Sequence, residues 1–316
     1  MSMKTIQLLL VLFMVGIPTV KAQNYKMVLK KTDGTIYEFP VDEIKELAME
    51  EIIPDLPLYV TVSENEMIDP STSAKSKRTK ARAPITTTST LTSFTLHGKG
   101  YDYALSKSST KWTANPDYWP RGTDGDEEVT FYAHSAGDYH PEGNYIQFNV
   151  DNNAFVQHDL LVATKTTSRN ASNGVVNLTF DHACAAVLFN ICMTNKLKTK
   201  LGAYNLTVKS VVLKDVCNTG EYHFSGGWNN KAKNEFSNFV LTNSKINVST
   251  ELEPLPCGYL FMIPQTMDGA ARLEIVYTIG ASEEEKTATI PLSNIIWAAG
   301  RKYTINVKLN TSMIEL

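Results

Sequence analysis

The chain has 316 residues, a net charge of −3 at pH 7 and only 20% charged residues, while 43% are hydrophobic. The charge argues against a nucleic-acid partner. Thr, Ser, Asn, Val, Leu and Ile are abundant, a balance that suits strands better than long solvated helices, so an all-β chain is expected.

At the N-terminus Lys4 precedes the apolar run Ile6 to Ile17, followed by Val20, Lys21 and Ala22. This is the layout of a secretory signal peptide over residues 1–22, cleaved between Ala22 and Gln23. The run is shorter than the roughly 20 apolar residues of a spanning helix, and no later stretch approaches that length, so no transmembrane segment is expected. A lipid-anchored export signal needs a cysteine just after the run, whereas the first cysteine is Cys184; no acyl anchor is expected. About 290 residues remain, enough for two ordinary domains or one large β-domain.

Tyr25 to Leu29 reads as a strand, Asp33-Gly34 as a tight turn and Ile36 to Phe39 as the return strand. From Val41 to Ala48 the apolar residues Val41, Ile44, Leu47 and Ala48 fall on one helical face, with acidic residues in the first turn, and Pro54 and Pro57 end that helix. Residues 23–62 therefore form a small ββα segment. From Ser63 to Ala83 periodicity disappears and Lys75, Lys77, Arg78, Lys80 and Arg82 form a basic cluster, which reads as a protease-sensitive linker over 63–83. It lacks the interleaved aromatics of a nucleic-acid patch.

Beyond the linker, short strands alternate with Gly, Asn and Asp turns. The clearest are Leu91 to Leu96, Val129 to Ala133, Tyr145 to Val150, Val175 to Phe180, Ala185 to Met193, Leu206 to Leu213, Tyr259 to Ile263, Leu273 to Ile279 and Tyr303 to Leu309. The last alternates Tyr303, Ile305, Val307 and Leu309 with polar residues. No helix is expected after Glu51. Such a series points to sandwiches.

No catalytic constellation is visible. The six histidines are scattered, no Ser or Cys sits in an elbow-type turn, and no carboxylate pair stands out, so the chain reads as a non-enzyme without a cofactor. His158 and His182 read as turn or edge residues. Asp124 to Glu128 lacks the ligand spacing of a calcium loop and reads as a solvated turn, as does Glu283 to Glu285. Cys184, Cys192, Cys217 and Cys257 could form disulfides after export, in three possible pairings, or stay as buried thiols; their spacing fits no zinc site. Trp112 and Trp119 are the candidate ligand-binding aromatics, with core plugs as the competing reading.

Read in order, Arg82-Ala83, Thr86 to Phe94, Tyr118-Trp119-Pro120, Val129 to Ala133, Gln157 to Leu161, Val176 to Ala183, Ile263-Pro264-Gln265 and Trp297 to Tyr303 resemble the fimbrillin (Mfa-like) family of anaerobic Gram-negative bacteria. The resemblance spans about Arg82 to Leu309. It implies two tandem transthyretin-like β-sandwich domains, here 84–172 and 173–316, in a fimbrial subunit or tip adhesin at the cell surface or outer membrane. It also implies proteolytic removal of an N-terminal segment, for which Arg78 and Arg82 are the candidate sites, and assembly with other fimbrial subunits by strand addition. The final strand and the tail Asn310 to Leu316 are candidates for the donating or accepting region. The ββα segment and the absence of a lipid-anchor cysteine depart from the family pattern. The alternative is a non-polymerising secreted or surface binding module for a host glycan or protein.

Overall fold

A computed structural model describes residues 26–30, 36–40, 56–68, 90–229, 236–242, 244–267 and 269–315. The chain divides into two units, Met1–Pro54 and Asp55–Leu316. In the first, Lys26–Lys30 pairs antiparallel with Ile36–Pro40, the hairpin expected from the sequence. The Asp33-Gly34 turn, the helix expected over 41–48 and the signal segment lie outside the described residues.

Among its described residues the second unit is all-β apart from two short helices. A seven-stranded sheet runs in the order Tyr59–Glu64, Val175–His182, Leu161–Thr167, Val129–His134, Ser93–Gly98, Tyr101–Ser108 and Lys111–Asn115. Alternation dictates which face is buried. In Val175–His182 the even-numbered residues Val176, Leu178 and Phe180 point into the core while Asn177, Thr179 and Asp181 point to water. These residues join Leu58, Val60, Phe94, Leu96, Tyr103, Leu105, Trp112 and Phe131 in one apolar cluster. Burying each large side chain contributes about 1.5–3 kcal/mol. Gly98 is required by this packing, since a Cβ there would sit 2.7 Å from the Phe131 ring.

A second and larger cluster surrounds Ala185–Met193, whose near-continuous burial suits a central strand covered on both faces. That strand pairs antiparallel with Glu253–Met262 and parallel with Lys302–Leu309. A sheet containing Leu206–Cys217 and Arg272–Ile279 covers it, together with a four-stranded sheet of Gly227–Asn229, Thr219–His223, Tyr145–Asn149 and Asp138–His140. Sheet membership crosses residue 172 in both directions. The 175–182 strand belongs to the first cluster, while Ile146 and Phe148 from earlier in the chain belong to the second.

Two features differ from the sequence expectation. Helices occur after Glu51, at Arg169–Ser172 and Asn195–Leu201, each opened by a hydroxyl cap; the Thr194 side chain accepts from the Leu197 backbone N–H. Both are too short for helical periodicity to emerge. The stretch read as the start of a linker is ordered through Ile68, with Ser63 and Glu64 in a strand and Met67 buried. All four cysteines are free and buried.

Candidate functional site

The strand Tyr59–Glu64 is built differently from most of its sheet. It pairs parallel with Val175–His182, Val60 opposite Val176 and Val62 opposite Leu178, and the two are far apart in sequence. The β-branched residues Val60, Thr61 and Val62 favour the extended backbone. Before the strand, the Leu58 N–H donates to Asp117 O (2.9 Å) and the Trp119 N–H to Leu56 O (2.6 Å). At its start the Tyr59 N–H donates to Gly174 O (2.9 Å), and past its end the Asn65 N–H donates to Phe180 O (2.8 Å). Side chains reinforce the ladder: Thr61 donates to Asn177, and Asn65 Nδ2 donates to Asp181 Oδ1 at 2.7 Å.

The segment then reaches the second apolar cluster. Met67 is buried there, the Ile68 N–H donates to Gly300 O and the Lys302 N–H donates to Ile68 O, both at 2.8 Å. Gly300 holds φ +65°, a conformation costly for residues with a Cβ, and its own N–H donates to Cys184 O.

The two end strands of the seven-stranded sheet, Tyr59–Glu64 and Lys111–Asn115, approach each other. Between them lies a groove of about 630 Å³ lined by residues 59–62, Lys107 and residues 109–112. An interrupted sheet of this kind offers backbone donors and acceptors to an added strand.

Arg78, Arg82, Ala22 and Gln23 lie outside the described residues. Trp112 and Trp119 are described, and the fold does not bring them together as an exposed platform. Trp112 packs edge-on against Phe94 at 4.8 Å between ring centroids, with Lys107 Nζ 5.6 Å from its ring, and its margin lines the groove. Trp119 packs against Phe131 at 5.2 Å and is 3% exposed.

Two polar clusters had no local signal in the sequence, because their members are far apart along the chain. In the first, His134 Nδ1 donates to Ala136 O, leaving its Nε2 to accept from His97 Nε2 at 2.9 Å, while His97 Nδ1 faces Asp102 at 2.6 Å. Burial, with His97 adding to it, lowers the His134 pKa below 6.5. In the second, His182 Nδ1 meets Asp159 Oδ2 at 2.5 Å and the Cys184 N–H donates to Asp159 Oδ1 at 3.3 Å. His182 is therefore a buried partner of Asp159 rather than a turn or edge residue. Burial raises the Asp159 pKa and pushes the Cys184 thiol well above its ordinary value, so the sulfur stays protonated and is not a poised nucleophile. The cluster ties the end of the 175–182 strand to the start of the next.

Three carboxylates of the acidic run 124–128 are already engaged within the protein. Asp124 Oδ1 accepts from the Asp126 and Glu127 N–H groups, Glu127 pairs with Lys99, and Asp126 accepts from Asn170. No group of three or more His, Cys, Asp or Glu suited to a metal ion occurs among the described residues.

A family model described as fimbrillin-like matches residues 72–316. Among solved structures, a fimbrial protein from Bacteroides vulgatus is 16% identical, with 80% of this chain and 95% of that one covered and a TM-score of 0.51. A candidate cell adhesion protein from Parabacteroides distasonis is 10% identical, with 83% and 90% covered and a TM-score of 0.54. At these identities the likeness is one of fold. No curated protein matches the sequence.

Proposed function

Since this chain belongs to the fimbrillin-like family, we infer that it is a cell-surface fimbrial subunit or tip adhesin that assembles by strand addition once an N-terminal segment is removed. In this reading residues 1–22 direct export and are lost, the two apolar clusters correspond to tandem transthyretin-like sandwiches, and a protease cuts after Arg78 or Arg82. The partners are other fimbrial subunits.

One observation carries the reading: the strand completing the seven-stranded sheet, Tyr59–Glu64, lies upstream of the arginine cluster and pairs parallel with a strand 111 residues or more downstream. A cut after Arg78 or Arg82 separates it covalently from the strand it pairs with and from the other described residues it bonds to. Its departure would leave the facing backbone edge of 175–180 unpaired and the places of Leu58 and Val60 empty, the two things an incoming strand supplies. The last strand and tail are the donor candidates, since Ile305, Val307, Leu309 and Ile314 repeat the spacing of Leu58, Val60, Val62 and Met67.

The test is limited digestion of the chain lacking residues 1–22 with an arginine-specific protease, followed by N-terminal sequencing and electrophoresis without boiling. Cutting after Arg78 or Arg82 with ladders of subunit multiples is the expected result. A resistant segment would overturn the processing step. Clean cutting of a protein that stays monomeric would favour the surface binding module for a glycan or host protein.

A further inference from the structure

Residues 56–68 do not end with the first core. Leu58 and Val60 are buried among the side chains of the seven-stranded sheet, whereas Met67 is buried in the cluster around Ala185–Met193. The backbone follows the same course. It pairs with 174–180 on the first core and, three residues past Asn65, exchanges hydrogen bonds through Ile68 with Gly300 and Lys302 at the start of the last strand of the second. From residue 58 to residue 67 an extended chain covers roughly 30 Å, so one segment bridges both cores.

We propose that the acceptor site vacated by this segment is composite, spanning both cores, and that its occupant is an extended strand from a second copy of this chain long enough to fill both parts. The proposal rests on the strand-addition reading above and deepens it by setting the length and chemistry of the partner. The strand must run parallel to 175–182, place apolar side chains where Leu58 and Val60 sit, and carry a further apolar residue seven positions past the second, where Met67 enters the second core. Polar residues fit between, where Ser63 bonds to Leu178 O and Asn65 to Asp181. The segment from Ile305 to Ile314 in a second copy has this spacing, and serves as donor once it leaves its own place beside Ala185–Met193. An occupant ending at the position of Glu64 would leave the edge at Gly300–Lys302 and the Met67 position unfilled. The second contact therefore selects against short or mis-registered strands, because a one-residue slip would turn the apolar side chains outward.

The experiment uses the full chain with a sequence-specific protease site placed between residues 71 and 82, so that the outcome does not depend on arginine preference. After cutting, the N-terminal fragment is exchanged in mild denaturant for one of three labelled peptides: residues 56–68, residues 56–64, or 56–68 with Met67→Asp. The proposal expects residues 56–68 to bind at least about tenfold more tightly than 56–64, the scale of one buried methionine, and Met67→Asp to cancel that gain. It also expects hydrogen exchange at the amide of Lys302 to slow only with the long unsubstituted peptide. Equal binding of all three would overturn the composite site and leave strand addition at the first core standing. Failure of every peptide to bind would overturn both, because residues 56–68 would then not be a replaceable strand.

Discussion

The two parallel pairings with the best-defined strands of this unit are made from opposite directions along the chain. Tyr59–Glu64 comes first and joins Val175–His182, while Lys302–Leu309 comes last and joins Ala185–Met193. Both carry apolar residues at alternate positions, and each completes an apolar cluster. They differ in how they are held. The last strand buries Val307 and Leu309, and its tail turns back so that Ile314 is buried and Glu315 exchanges hydrogen bonds with the Tyr277 hydroxyl in both directions. Its partner strand is buried on both faces. The first strand pairs with a one-sided strand, relies in part on exposed polar side chains, and is followed by the basic cluster. Similar strand chemistry is thus anchored more firmly in the last strand than in the first; on the strand-addition proposal the first is the strand that leaves, and the last must be drawn from its own anchors before it serves a second copy.

Breaking the more firmly anchored side should have the largest effect. Leu309→Ala should cost about 2–5 kcal/mol of global stability, seen in the urea midpoint of the whole unit. Leu58→Ala should act mainly on local opening, appearing as faster hydrogen exchange at 59–64 with a smaller midpoint shift. If the two substitutions shift the midpoint equally, the contrast between the strands fails. Deleting residues 310–316 removes the burial of Ile314, worth about 1.5–3 kcal/mol, together with the Tyr277 hydrogen bonds. The last strand should then exchange almost as readily as the first, which exchange mass spectrometry would register.

Asn65→Ala should have a smaller effect, about 0.5–1.5 kcal/mol, since it removes one side-chain hydrogen bond at the end of the first strand. It should speed release of the segment from a cut chain without moving the midpoint of the second core. The smallest difference expected depends on pH and belongs to the first sheet. Because His134 has a folded pKa below the unfolded value of 6.5, the unfolded chain takes up this proton first as pH falls. Stability should therefore be lost from about pH 6.5 down to the lowered folded value. Urea midpoints at pH 7.5 and 5.5 should differ less in His134→Gln than in the parent; an unchanged difference would show that this group does not carry the effect.

Much of this contrast was visible in the sequence, but unevenly. The alternation Tyr303, Ile305, Val307, Leu309 announces the last strand, and the apolar run Ala185 to Met193 announces the central one. The first strand was hidden by Pro54 and Pro57 before it and by the basic stretch after it. Val60, Thr61 and Val62 were its only signal, because the residues it pairs with lie in a distant part of the chain. The same distance hid the Asp159–His182 and His97–His134 pairs. The short helices escaped because their caps, Ser168 and Thr194, open segments of only 4 and 7 residues. Trp112 and Trp119 were noticeable by residue type, yet only packing reveals that they lie edge-on against Phe94 and Phe131.

The most direct test of the account is hydrogen exchange at the amides of 175–180, measured on the intact chain, on the chain cut and stripped of its N-terminal segment, and on the stripped chain after assembly. The account predicts protection in the first state, marked loss in the second and recovery in the third. Unchanged protection after stripping would mean that Tyr59–Glu64 does not hold the edge of that strand, and the exchangeable-strand account would be contradicted.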